Sequence, residues 1–204
     1  GASVVGSIRL AEGNVKAARI IMTQAYIAGA VIFGLVIAVS LLFTRPVLYV
    51  LGCSPALESL ASDYLLWLLP GLMFFYVQCV GMMLIRLDGS PKFAMSIQIV
   101  AAVLNIFLDW LMVFPLGMGI KGASIATSIS CIVGGLMVLG YFLFFSDKLK
   151  FYRLKLSVKS LRLSLRNTGY MVKIGLAAFI AELSIGIMMV TGNYVFLDAL
   201  GEAG

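Results

Sequence analysis

Five apolar runs of about twenty or more residues, at roughly 20–43, 57–84, 93–114, 120–145 and 172–197, leave few folds open to this chain. Each is long enough to carry a helix across about 30 Å of hydrocarbon, which takes about twenty residues. None shows the alternating ten-residue pattern of an outer-membrane barrel strand. With 62% hydrophobic and 12% charged residues and a mean hydropathy of +1.08, the chain lies far from the soluble norm of about 45 to 50% and 25%. It reads as an all-α, polytopic membrane protein. It begins at Gly1 without methionine and stops just past an apolar run, so it reads as a fragment, residues 1–6 being the tail of an earlier span.

The breaks between runs carry the expected punctuation. Glu12-Gly13-Asn14 forms a polar turn, Thr44-Arg45-Pro46 ends the first span, and Arg86 to Lys92 holds both Gly89 and Pro91. Pro70-Gly71, midway through the second span, predicts a kink that a neighbouring helix must accommodate. Thirteen Lys and Arg fall in residues 1–19, 86–92 and 146–173, against only Arg45 and Lys121 in the alternate connections. That asymmetry places the first set in the cytoplasm of a cell-membrane protein. Residues 146–173 hold eight of the thirteen, and their second half suits either a short helix lying on an anionic lipid surface or a solvated topogenic linker. Charge beside a span is explained by topology, so nucleic acid is not an expected partner.

Histidine is absent, and Cys53, Cys79 and Cys131 are scattered, which suggests neither a disulfide framework nor a metal cluster. An enzyme embedded in the membrane would need a clustered catalytic set, and none is visible. The chemistry-bearing residues are instead polar groups inside spans. Gln98, Ala102, Asn105 and Asp109 form one helical stripe of the third span. A carboxylate there is costly and marks a functional candidate. In the fourth span, small residues recur every four positions at Ala123, Thr127, Cys131 and Gly135, with Gly122, Ala126, Ser130 and Gly134 beside them. Such a face permits close packing on the third span, bringing the Thr127 hydroxyl toward Asp109. Depth counted along the helices puts Tyr64 in the same layer. A carboxylate, an amide and a hydroxyl can hold a small hard cation, or the carboxyl alone a proton; an interhelical clamp without ion traffic is the plainer alternative. Glu182, midway along the fifth span, suggests a second polar cavity or a carboxylate paired with a residue outside this chain.

Three motifs then carry a resemblance: Leu87-Asp88-Gly89-Ser90-Pro91 after Arg86, Asn105-Ile106-Phe107-Leu108-Asp109, and Gly119-Ile120-Lys121-Gly122-Ala123-Ser124-Ile125-Ala126-Thr127. In order and spacing the chain resembles the multidrug and toxic compound extrusion (MATE) family of secondary transporters. The resemblance implies a twelve-helix, two-lobe protein, monomeric when complete, of which residues 1–145 belong to the N-terminal lobe, 146–171 form a basic inter-lobe linker and 172–204 open the C-terminal lobe. It implies export of amphipathic, cationic compounds by alternating access, driven by Na⁺ or H⁺, without a cofactor. Asn105, Asp109 and Thr127, and more weakly Tyr64, match the family's cation site; Glu182 matches a cavity carboxylate, with Gln98 on the cavity side. Two departures stand out. The first-helix acid that shares the cation site in many members lies outside the chain, and Gly175 is followed by Leu176, so the proline kink of helix 7 is not expected. The related lipid-linked oligosaccharide flippases share the architecture, but their cavities more often carry basic residues, and no span interior here holds one.

Overall fold

The computed structural model describes residues 1–152 and 158–200, with side chains at 1–152 and 165–195. Among the described residues seven α-helices follow one another: α1 (Ala2–Ala11), α2 (Val15–Leu42), α3 (Thr44–Val50), α4 (Glu58–Leu87), α5 (Pro91–Val113), α6 (Gly119–Gly140) and α7 (Val158–Leu200). A 3₁₀ turn, Pro55–Leu57, leads into α4, and a π turn, Tyr141–Phe145, closes α6. Among the described residues five helical stretches are long and apolar enough to cross a membrane, matching the five runs read from the sequence.

The helices end where their residues require. Asn14 caps α2, its side-chain oxygen accepting from the Ala17 amide at 3.0 Å. Gly89 adopts φ +101° between α4 and α5, a conformation side chains resist, and Pro91 opens α5 where its missing N–H costs nothing. α2 and α4 to α6 form one bundle, in which α6 packs most closely on α4 and next on α5. The sequence suggested that the small face of α6 would meet α5. It does so at Gly122, where a Cβ would come within 2.9 Å of Met112. The tighter seam, however, runs to α4: a Cβ on Gly71 would lie 2.6 Å from the Ser128 Cα, and one on Gly134 2.6 Å from the Gln78 amide. α6 carries small residues on two faces, and α4 answers with glycines of its own, so α6 fits between both partners.

A side chain of α6 reaches the α4 backbone just before Pro70. Proline withholds an amide from the α4 ladder, and Ser128 Oγ of α6 donates to the carbonyls just upstream, at 2.5 Å to Trp67 and 3.2 Å to Leu68. The densest apolar packing gathers at the basic end of the bundle, around Met22, Tyr26, Leu84, Ile85, Ile97, Val138, Phe142 and Leu149. Outward faces stay apolar, with Val31, Leu35, Ile99, Val103 and Ile106 all exposed, as suits helices facing lipid or further helices.

From Val158 onward the chain is one helix of 43 residues, so the stretch read as a surface helix and the fifth span are continuous. α7 touches the bundle near both ends. Asn167 donates to the Gln24 side chain at 3.2 Å and Met171 packs on Val5, Ile21 and Ala25. At the other end Asn193 donates to the Gly52 carbonyl at 2.8 Å and Tyr194 to the Tyr49 carbonyl at 2.7 Å. From Asn167 to Asn193 a helix rises about 39 Å, enough to cross the hydrocarbon.

Candidate cation site and its surroundings

Asn105 and Thr127 meet at the α5–α6 seam, and Asp109 follows Asn105 one turn further along α5. Ala94, Ile97 and Ala101 bury the lower part of α5, and the half-buried residues Leu104, Asn105, Leu108 and Asp109 continue that face one and two turns further on. Asn105 Nδ2 lies 3.5 Å from Thr127 Oγ1, a long contact; the Thr127 hydroxyl itself donates to the Ala123 carbonyl at 3.0 Å. With its proton engaged on its own helix, Thr127 turns oxygen lone pairs toward Asn105. Asp109 does not reach Thr127. Its Oδ1 is buried and has no hydrogen-bond partner among the described residues, an expensive state for a carboxylate oxygen. The seam thus offers an amide, a hydroxyl oxygen and an unsatisfied carboxylate oxygen within about one helical turn.

The other residues singled out lie apart. Tyr64, 37% exposed, lines an apolar cleft of about 410 Å³ with Leu48, Leu60, Leu68 and Ile120. Gln98 is exposed on α5 and Glu182 on α7, so neither is drawn into the Asn105–Thr127 contact. The exposure of Gln98 and Ala102 shows that only the outer part of the polar stripe enters the seam. A larger cleft, about 730 Å³, opens at the basic end between α1, α2 and α7, lined by Arg9, Glu12, Asn14, Arg166, Asn167 and Tyr170; Arg9 there is paired with Glu12 at 2.8 Å.

Sequence reading missed Asp88. Although it stands at the end of a span, directly before a turn, it is 6% exposed. Oδ2 accepts from Tyr141 Oη at 2.8 Å, Ser146 Oγ at 2.9 Å and the Asp147 amide at 3.2 Å, and Oδ1 from the amides of Lys148 at 3.0 Å and Leu149 at 2.7 Å. Burial opposes the charge of Asp88, but the bonds from Tyr141, Leu149, Ser146 and Lys148 outweigh it and hold the carboxyl below its ordinary value of 3.8. The only sequence signal was an acid directly before the Gly-Ser-Pro turn. Its partners lie 53 to 61 residues downstream and are mostly backbone amides, which carry no residue signature.

A membrane bundle of antiparallel helices, with polar oxygens gathered in one interhelical seam, defines a class before any comparison: a polytopic helical membrane protein. The comparisons supply the family. The MatE family model matches residues 1–111, and the chain belongs to that family. Among similar proteins, an FAD transporter of Shewanella oneidensis is 26% identical over 144 residues, covering 69% of this chain and 32% of that protein. The multidrug export protein MepA of Staphylococcus saprophyticus is 26% identical over 177 residues, covering 86% of this chain and 38% of its own. Among solved structures, the inward-facing conformation of a multidrug resistance MATE family transporter of the MOP superfamily aligns with a TM-score of 0.83 at 25% identity, over 98% of this chain and 45% of that one. A MATE crystal structure in the bent conformation aligns with a TM-score of 0.77 at 24% identity over 98% of this chain and 44% of the other, which speaks to the fold alone. The chain therefore spans under half the length of the relatives it matches.

Proposed function

We propose that the full-length protein is a cation-coupled exporter of amphipathic cationic compounds, and that the α5–α6 seam is where the coupling ion binds. The observation that carries this reading is the buried, unpartnered Oδ1 of Asp109 beside the Asn105–Thr127 contact. A membrane carboxylate left short of donors gains by taking up a proton or a cation and loses that gain on release, which is what coupling requires. Asn105 and Thr127 serve as neutral ligands that tolerate either state, while Tyr64 lines a separate apolar cleft. Glu182 and Gln98 stand on open faces available to a cavity completed by helices outside this chain. The basic composition of residues 146–173 suits attraction to the anionic leaflet of the cytoplasmic side, its residues 153–157 lying outside the described residues. Membership of the MatE family and likeness to MepA support export of small molecules; the Shewanella relative widens the cargo to be tested to FAD.

The test uses inverted membrane vesicles bearing the full-length protein, driven in turn by a sodium and a proton gradient, with ethidium and FAD as cargo. Wild type accumulates ethidium under one gradient, and Asp109→Asn lowers that uptake at least about tenfold at equal expression, since a neutral amide cannot exchange charge. Uptake undiminished in Asp109→Asn would remove the ion from this seam. FAD uptake without ethidium uptake would replace the cationic cargo with an anionic one.

A further inference from the structure

Residues 146–152, which follow the π turn of α6, have no repeating secondary structure of their own, yet all but Lys150 are held by bonds or ring contacts. Besides the three amides given to Asp88, Arg19 Nε donates to the Lys148 carbonyl at 2.6 Å, and the Tyr152 amide donates to Thr23 Oγ1 at 2.9 Å. Leu149 is 0% exposed inside the apolar core, the Ser146 hydroxyl closes on its carbonyl, and the Phe151 ring lies tilted at 5.4 Å from Tyr26 and edge-on at 5.9 Å from Phe142. Lys16 lies 5.8 Å over the Tyr152 ring. A free tether would leave its amides to water; this one spends them on one buried carboxylate.

We propose that residues 146–152 are a fixed part of the bundle of α2 and α4 to α6, pinned by Asp88 as a positioning residue, and that they stay docked on it while the two lobes move. The inference rests on the two-lobe exporter reading for its consequence, though not for the anchor itself. Undocking would strip Asp88 of four of its five donors, Tyr141 alone staying with the π turn, and would expose Leu149. Removing partners from a buried charge costs far more than the bonds are worth when made. A segment with that much to lose does not cycle with each turnover. The bond pattern also transmits force: a pull on α7 through residue 152 reaches α2 at Thr23, α4 at Asp88 and α6 at Tyr141 at once, so the base moves as one body.

Hydrogen exchange of the full-length protein tests the anchor, read on the amides of Asp147, Lys148, Leu149 and Tyr152 with no addition, with ethidium, and with ethidium plus sodium or at mildly acid pH. Exchange at least about tenfold slower than an open chain in every condition is expected. Asp88→Asn is expected to speed it about tenfold at 147–149 while leaving α4 and α6 unchanged. Protection lost in the wild type on adding ethidium and ion overturns the fixed anchor, and so does full protection in Asp88→Asn. A second arm covers a variant that fails to fold. Thr23→Cys with Tyr152→Cys, in a protein with Cys53, Cys79 and Cys131 changed to serine, is crosslinked and assayed for ethidium export. A rate within about twofold of the reduced form fits a segment that never undocks, whereas loss on oxidation with recovery on reduction overturns it. If the reduced form exports nothing, the exporter reading falls and the exchange data alone decide the anchor.

Discussion

Asp109 and Asp88 are two acids with opposite fates, and the difference lies in their donors. Asp88 is saturated by five hydrogen bonds, while Oδ1 of Asp109 is buried with none. Only the second has something to gain from an ion. Thr127 makes this testable in fine detail, because its hydroxyl is spent on Ala123 and offers lone pairs to Asn105. Thr127→Ser keeps that oxygen and should leave export near wild type. Thr127→Val removes it at equal volume and should raise the ion concentration needed for half-maximal ethidium uptake about tenfold, the worth of about 1.4 kcal/mol. Equal ion dependence in the two variants would take Thr127 out of the ligand set. Asp88 yields a pH prediction of definite sign. Its native value is depressed below 3.8, so its contribution to stability is complete above the ordinary value and is lost only as pH falls through the native one. The difference in unfolding temperature between wild type and Asp88→Asn should stay level from about pH 8 to pH 5 and shrink below about pH 4. A difference that fades near neutrality would mean the carboxyl is not held as described. Asp109 was legible in the sequence because a charge in an apolar run is conspicuous; Asp88 was not, because a carboxylate at a span end looks solvated until the chain 60 residues on folds back over it.

The same asymmetry holds for helices. Spans and turns could be read directly, since hydrophobic length and Gly and Pro act locally. Which helix faces which could not: the α6 small-residue rows were visible, but they run around two sides of the helix, and only the glycines of α4 reveal that the tighter partner is α4. Packing then sets the sign of a glycine-to-alanine change. In a helix interior the change ordinarily stabilises by about 0.5 to 1 kcal/mol. Gly140, with nothing within 4 Å of an added Cβ, should follow that rule. Gly71 should not, because its Cβ would meet backbone of α6 at Ser128, 2.6 Å away, and overpacking of this kind costs about 1 to 3 kcal/mol. Thermal unfolding of the purified full-length protein should therefore rise slightly for Gly140→Ala and fall for Gly71→Ala. A rise for both would show that α4 and α6 are not in backbone contact.

At the scale of the molecule, α7 bridges the bundle's two ends, and the two contacts differ in kind. Near the basic end it buries Met171 against Val5, Ile21 and Ala25; at the opposite end it is held by two hydrogen bonds to carbonyls of α3 and the turn after it. Gly52 has φ +85°, and a Cβ there would sit 2.7 Å from the Asn193 amide, so glycine both makes the turn and admits the contact. Hydrogen bonds of this sort are worth about 0.5 to 1.5 kcal/mol each, too little to fix a conformation but enough to bias one. Residues 146–152 are bound far more heavily than that, so on the two-lobe exporter reading proposed above the contact to yield on opening toward the less basic side is the one at Asn193 and Tyr194. Asn193→Ala combined with Tyr194→Phe should then shift the population toward the outward-open form by about tenfold or more. Cys53, next to Gly52 and half-buried, is a native probe once Cys79 and Cys131 are changed to serine. Its labelling by a membrane-impermeant maleimide from outside should accelerate in the double variant and slow when ethidium is supplied from the cytoplasmic side under conditions that favour inward-facing binding. Labelling unchanged by the double substitution would mean that this contact does not close the outer side, and that the closing surface lies on helices beyond this chain.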